Sequence, residues 1–459
     1  MMANILIRSS AIITAPIFTR ILTTSDYGIA SNFTAWLNIF MIFTGLALPY
    51  SIGVAKIDFP TELNKFLASI QTLGSITAIS LLGFAIVFKE QLAVWMSLDE
   101  DLVIVMFVYL LVLPSVVFSQ ERYKFELLYK QNIYIAIFSS LGAIAFCLIF
   151  ILYVFDDQRY YGRIIGLISP MFLMGCYFYL KIIKNGWSKS IKKYWAYALK
   201  ISIPMIPHAL AMVVLNQIDR VMIINYSGSS DAGLYSFGFA YAILLMIFSN
   251  AVLQAYMPWL YISYQKNDID AIKKSNKMIT LSVCVITVII ITMGPEVLRI
   301  LGTEDFLDAK WVVMPIALSA LFQYVYNNYS SLELYHKKTT IIAIGSVFTA
   351  IINYFLNSTF IPMYGYTAAA YTTFVSYLIL AMFHLFAYRK ICKKVVFNDK
   401  FIWMSSIITV IIGFMISELY EYFILRYLFL MIILMIIFIV KKTEILNTFK
   451  LVTQHFTKK

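Results

Sequence analysis

Two ionisable residues, Asp219 and Arg220, stand side by side in "NQIDRVMIINYSGSSDAGLYS" (216–236), directly after the apolar run "ALAMVVL". On insertion scales a charge at the centre of a bilayer costs ~2.5–3.5 kcal/mol or more, so some feature of the fold must offset it. The guanidinium presents a planar fork of N–H donors that matches phosphate oxygens. The carboxylate can hold a proton or a small cation, or neutralise its neighbour. At helical spacing, His208 and Asp219 fall within about 20° of each other, with Asn216 about 80° and Arg220 about 120° round from the histidine. Pro204 lies on that side and Pro207 precedes the histidine, so a kink is expected there. A helix near the start mirrors this one: Ala15 and Thr19 share the face of Arg8, and Arg20 stands about 120° away.

The expected arrangement is a cationic, water-filled cavity. Arg8, Arg20, Arg220 and Lys56 are its candidate cations for an anionic substrate. Asp219, His208, Asn216, Asn250 and Gln254 are its candidate polar lining, and a proton or sodium ion driving transport would pass Asp219 or His208. No other cofactor and no bound metal is expected. In the simpler alternative Arg20 and Arg220 snorkel to the outer interface and Asp219 balances a neighbouring charge. Asn353 and Asn357 read as an interhelical hydrogen-bonding pair. His336, His384 and His455 belong to no visible constellation, and Glu126 and Glu333 read as salt-paired among nearby cations. The "DED" at 99–101 could hold a metal between its two aspartates, but a solvated loop explains it better.

The elements that must position these residues are transmembrane helices. Of 459 residues, 61% are hydrophobic and 13% charged, and a soluble chain carries about twice that charged fraction. Apolar windows give about fourteen spans, from 3–22 to 423–440, so an all-α polytopic protein is expected. The N-terminus has Arg8 inside its apolar stretch and no small-residue cleavage pattern, and reads as an uncleaved first helix. The net charge of +12 is the positive-inside signal rather than a nucleic-acid footprint. Loops after even-numbered helices, with the tail, carry 26 Lys and Arg, and those after odd-numbered helices carry 6. Both termini are therefore expected on the cytoplasmic side. Four cysteines, far apart in apolar segments, read as packing residues.

An internal repeat organises the chain. "DYGIAS" (26–31) returns as "DAGLYS" (231–236), an offset of 205. "FELLYK" (125–130) returns as "LELYHK" (332–337), and "YYGRIIG" (160–166) is echoed by "MYGYTAA" (363–369). Six helices per copy make the copies parallel, with a pseudo-twofold axis along the membrane normal and a central cavity. The expected division is a first lobe over 1–195, a second over 196–398, and two additional helices with a cytoplasmic tail over 399–459. Gly28 and Gly233 are expected to permit the tight turns that open their helices.

With "PIFTRILTTSDYGIAS", "NQIDRVMIINYSGSSDAGLYS" and "YGYTAAAYTTFVSY", residues 5–390 resemble the polysaccharide transport family, the Wzx-type repeat-unit flippases of the MATE-like MOP superfamily. The resemblance implies movement of undecaprenyl-pyrophosphate-linked oligosaccharides from the inner to the outer leaflet of a bacterial inner membrane, for O-antigen, capsule or exopolysaccharide. It implies a cationic cavity for the pyrophosphate, with the polyprenyl tail left among membrane lipids. Arg20 and Arg220 match the hairpin arginines and Asp219 the acidic partner, whereas Arg8 and His208 rest on geometry alone. Implied partners are the lipid-linked oligosaccharide, a polysaccharide polymerase and a chain-length regulator. Many members have twelve helices, and the last two here have no place in that pattern. The alternatives are a multidrug antiporter of the same fold, which would want an acidic cavity, and a membrane glycosyltransferase or polymerase, whose expected outer loops are missing.

Overall fold

The computed structural model describes residues 14–187, 191–436 and 439, and all regular structure among them is helical. After α1 (residues 14–21) comes a crossing built from α2 (Thr24–Gly45) and α3 (Pro49–Asp58). It breaks at Leu46 and Ala47, both at positive φ, just before a proline that suits a helix start. There follow α4 (Leu63–Val87), the short α5 (Lys89–Met96), a second broken crossing of α6 (Glu100–Leu110) and α7 (Leu113–Phe125), then α8 (Tyr129–Tyr153) and α9 (Arg159–Gly186). The linker helix α10 (Ile191–Ser202) packs on this first half. Tyr194 Oη donates to Glu62 at 2.8 Å and Trp195 Nε1 to the Ser69 carbonyl at 2.6 Å. The expected lobe boundary at residue 195 falls inside it.

A 3-10 turn, Ile203–Met205, interrupts the chain at Pro204 and leads into α11 (Ile206–Ser227), where the prolines place the kink. The second half continues with α12 (Ser229–Ala242), α13 (Leu244–Gln265), α14 (Ile269–Leu301), α15 (Lys310–Tyr335), α16 (Thr339–Tyr364) and α17 (Tyr366–Cys392). Last come α18 (Asp399–Glu418) and α19 (Phe423–Ile436). Arg426, 1% exposed, ties α19 down by donating to Glu296 of α14 and to the Tyr420 carbonyl.

Eleven segments among the described residues are long and apolar enough to span a membrane, so this measure does not reach the expected fourteen. The window at 311–333 is helical but lies in α15, whose Gln323, Asn327, Asn328, Ser330, Ser331 and Glu333 lower its apolarity. Most of that helix is enclosed by its neighbours, so those groups face protein rather than lipid. The window at 423–440 is described as the shorter α19, and most of the first window lies outside the described residues.

The two halves meet where α2 packs along α12. Thr24 Oγ1 bonds Ser230 Oγ at 2.7 Å, Ser25 Oγ bonds Ser229 Oγ at 2.6 Å, and Ser236 Oγ donates to Ser31 at 2.8 Å. Shifted by 205 residues, Thr24 becomes Ser229 and Ser25 becomes Ser230, so the first two bonds exchange and the third maps onto itself. That reciprocity is the mark of a twofold contact. A Cβ on Gly28 would collide with the Ser229 carbonyl, and one on Gly233 with that of Thr24. Both glycines lie inside helices, and positive φ among the glycines belongs to Gly228 and Gly365. Their expected role as turn residues is therefore corrected: they let two backbones touch. Close approach of this kind drives helix association where apolar burial has no solvent to escape.

The other two landmarks align differently. Leu127 and Lys337 take the same φ of 58° in the turns after α7 and α15, so those turns correspond at a spacing of 210, not 207. Gly162 is helical whereas Gly365 sits in the turn before α17, so that echo is not a structural equivalence.

Candidate functional site

The seam lies at one end of the bundle, and the turns rich in lysine lie at the other. At the lysine-bearing end, a cavity of about 620 Å³ opens among α11, α13, α15 and α16, beside the turn that carries Lys337 and Lys338. His208, Asn250, Gln254, Asn327, Ser330 and Thr339 are among its polar lining. Asn327 Nδ2 reaches Asn250 Oδ1 at 3.5 Å, and His208 Nδ1 is buried without a protein partner. Neither a carboxylate nor a cation occurs among the described lining residues. Three of the residues singled out from sequence, His208, Asn250 and Gln254, are thus brought together on three turns of two facing helices.

Asp219 lies deeper, 1% exposed, on the same helix as His208 but roughly 16 Å along it at 1.5 Å per residue. Its carboxylate accepts Tyr235 Oη from α12, Asn357 Nδ2 from α16 at 2.7 Å and Thr373 Oγ1 from α17 at 2.8 Å. Asn357 also donates to Asn353 Oδ1 at 3.2 Å and accepts from Thr372, so Asn357 takes the interhelical role expected of that amide pair while Asn353 bonds only within α16. Four helices therefore converge on one charge through neutral dipoles. Asn216, one turn below, accepts Tyr377 Oη at 3.1 Å. The carboxylate and amide oxygens are each occupied as hydrogen-bond acceptors. Among the described residues no group of three or more His, Cys, Asp or Glu is placed to hold a metal.

Arg220 does not pair with Asp219. One residue further round the helix, its Nη1 donates to the Asn216 carbonyl at 2.9 Å and its guanidinium lies 4.4 Å from the Phe239 ring centroid. It is 8% exposed and points at the seam, where Tyr27 lies within electrostatic reach of both Arg220 and Arg163. Arg163 in turn sits 3.7 Å over the Phe18 ring. Arg20 is exposed at this end and donates to the Pro16 carbonyl at 2.8 Å. Lys56 is at the opposite end, 3.7 Å from Glu126, which also takes Arg122 Nε at 3.1 Å. Arg8 lies outside the described residues. The structure thus sets Arg20, Arg220 and Arg163 around the seam and leaves the open cavity without them.

Sequence reasoning missed two features. Arg163, inside the "YYGRIIG" landmark, is not among the candidate cations read from the sequence. Glu333 and His384 were assigned to salt pairing and to no constellation, yet they form a fully enclosed pair with Nδ1 at 2.8 and 2.9 Å from the two carboxylate oxygens. The "DED" residues open α6: Asp99 accepts Tyr160 Oη at 2.8 Å and Glu100 pairs with Lys89 at 2.8 Å.

A family model described as polysaccharide biosynthesis protein matches residues 1–263. An uncharacterized membrane protein of Haemophilus influenzae is 24% identical over 348 residues, spanning 73% of this chain and 82% of that one. Among solved structures, the lipid II flippase MurJ in an inward closed conformation superposes with a TM-score of 0.72 at 18% identity, over 97% of this chain and 99% of its own. An inward-facing multidrug resistance MATE family transporter of the MOP superfamily gives 0.62 at 13% identity, over 85% and 96%. The polytopic helical fold read from the sequence is the fold these two proteins share.

Proposed function

Because this membrane-spanning chain belongs to the polysaccharide biosynthesis protein family, we propose that it is a flippase. Its substrates are undecaprenyl-pyrophosphate-linked oligosaccharide repeat units, moved from the cytoplasmic to the outer leaflet for a surface polysaccharide. The observation that carries this reading is the asymmetry of the bundle. The two halves are zipped at the seam while a polar, uncharged cavity, lined by residues of the second half, is open at the lysine-bearing end. We read this as the second half's wall of one state of an alternating-access carrier, with the lysine-bearing end cytoplasmic.

The lining also favours a glycan over an organic cation. Amides and hydroxyls such as Asn250, Gln254, Asn327 and Ser330 can exchange hydrogen bonds with sugar hydroxyls, whereas a cation would need a carboxylate there. The pyrophosphate is assigned to Arg20 and Arg220, with Arg8 as a further cation, once the halves rock apart and expose the seam; Lys56, at the opposite end beside Glu126, lies outside that group. Asp219, with its oxygen-rich surroundings, is assigned to a coupling ion. The two lobes are the rocking bodies, and a polymerase and chain-length regulator act on the delivered units at the outer face.

The test is complementation of a strain lacking its repeat-unit flippase, following surface glycan and lipid-linked precursor together. Wild type should restore glycan. Arg20→Ala and Arg220→Ala should accumulate precursor at normal membrane abundance, and Arg220→Lys should restore only part, because the fork and the ring stacking are lost. Wild-type glycan levels from Arg220→Ala would reject the assignment.

A further inference from the structure

We propose that His384 and Glu333 form a proton-carrying pair that exchanges one proton with the water of the cavity during each transport cycle. The pair joins α17 to α15, and both side chains are completely enclosed. The fold does not demand a charge there. Glu333 stands two residues before the end of α15 and His384 eight before the end of α17. At the same distances from the ends of the equivalent helices α7 and α9, the first half has Tyr123 and Phe178, in edge-to-face contact with centroids 6.3 Å apart. An aromatic pair fills the position where packing alone is needed. A carboxylate and an imidazole at the corresponding place therefore serve something other than packing.

Proton counting says what. With one proton between them, as a carboxylate bonded by Nδ1–H, the pair holds a net negative charge away from water. A second proton makes it neutral as imidazolium and carboxylate, which burial favours. His384 Nε2 is buried with no hydrogen-bond partner, so its lone pair is free to take that proton. The step is a simple transfer from water to Nε2, and release reverses it. Tyr326 links the pair to the cavity: its ring lies 4.9 Å from that of His384, and it also lines the cavity wall. The other titratable groups that face the pair are Cys392 from α17 and, next to it, Tyr264 of α13, whose hydroxyl bonds His336 at 2.9 Å. From α16, Gly345 lies beside His384 Nε2 and Ser346 beside Tyr326, both uncharged. The nearby cation Lys394 lies 4.8 Å over the Tyr264 ring and within electrostatic reach of Cys392, and its Nζ donates to Asn267 Oδ1 at 2.7 Å rather than to Glu333.

The site itself can be tested without knowing what is transported, while its role in coupling rests on the flippase reading. The chain has four histidines, so nitrogen-15 NMR of histidine-labelled protein in nanodiscs can assign each by its loss on substitution. As the sample is acidified over about pH 8 to 5, the signal missing from His384→Gln should change from the neutral to the doubly protonated form, and Glu333→Gln should weaken that change. A signal that keeps one form throughout that range, or that ignores Glu333→Gln, overturns the proposal.

The double variant Glu333→Tyr with His384→Phe copies the first half's packing and so guards against misfolding. In proteoliposomes loaded with a fluorescent undecaprenyl-pyrophosphate disaccharide, it should flip the probe at a rate that no longer responds to a pH gradient. An unchanged gradient response in that variant also overturns the coupling role. If wild type titrates as expected yet does not move the probe, the proton site stands and the flippase reading fails.

Discussion

Ser31 and Ser236 occupy the same position in the two halves and bond each other, Oγ to Oγ, at 2.8 Å. Two equivalent residues can touch in this way only if the axis relating the halves passes between them. The seam is thus a self-complementary contact made within one chain, and it holds the halves together at one end through hydroxyls and bare backbone. Such a contact is complete when closed and leaves only small, hydratable groups when open, which suits a gate.

Gly28→Ala should therefore bias the gate towards opening. The added Cβ meets the Ser229 carbonyl, a backbone atom that cannot rotate aside. Overpacking of this kind costs about 1–3 kcal/mol, equivalent to a roughly 5- to 150-fold shift between two states. Labelling of Ser236→Cys by a membrane-impermeant maleimide should rise in the Gly28→Ala background. Equal labelling in both backgrounds would show that the seam does not gate.

Much of this arrangement was legible in the sequence, for stated reasons. The 100° step between neighbouring helical residues already separated Asp219 from Arg220, and in the structure one faces the second half's interior while the other faces the seam. Spacing put Asn353 and Asn357 on one face, where Asn357 bonds across helices and Asn353 bonds only Asn357. The repeat was legible at "DYGIAS" and "DAGLYS" because the seam constrains both copies at once. It was misaligned elsewhere because helix order together with the turn's φ, and not its residue types, fixes the equivalence of Leu127 and Lys337. A contact glycine and a turn glycine look alike in sequence. Glu333 was misread because Lys337 and Lys338 are near it along the chain, whereas the helix turns its carboxylate inward to a histidine 51 residues away.

Asp219 should report the coupling ion directly. Three neutral donors from three helices point at it, and a monovalent cation bound beside it would stabilise the folded state by mass action. Sodium should raise the melting temperature of wild type in detergent and leave that of Asp219→Asn unmoved. Asp219→Leu, which strands all three donors, should cost about 1–3 kcal/mol for each unsatisfied group and lower the melting temperature outright. A sodium-dependent rise that survives in Asp219→Asn would place the ion elsewhere.

The cavity amides should affect recognition more than turnover. Asn250 and Gln254 face the open space together, and each lost hydrogen bond to a sugar removes about 0.5–1.5 kcal/mol, or roughly a 2- to 10-fold change in affinity. Asn250→Leu and Gln254→Leu should raise the half-saturating concentration of a lipid-linked disaccharide by that factor while leaving the maximal rate near wild type. The same variants assayed with undecaprenyl pyrophosphate bearing no sugar should show no change. An equal loss for both probes would mean that the amides support the helices and do not read the glycan.

The linker helix should loosen in acid. Glu62, in the turn before α4, is held below the ordinary carboxylate range, first by the hydroxyl of Tyr194 and then by Lys65. A carboxyl whose folded pKa is depressed contributes its stability above the unfolded value and loses it as the pH falls through the folded one. The α10 contact should accordingly persist through neutral and mildly acidic solution and weaken only below the normal range for glutamate. Trp195, beside Tyr194 on α10 and bonded to the Ser69 carbonyl of α4, is a local reporter once the other tryptophans are replaced by phenylalanine. Its emission should shift to the red at low pH, and Glu62→Gln should show the shifted emission already at neutral pH. Emission that stays constant in both would mean that the ring contacts of Phe59 and Phe66 with Tyr194 and Tyr197 hold α10 in place without the carboxylate.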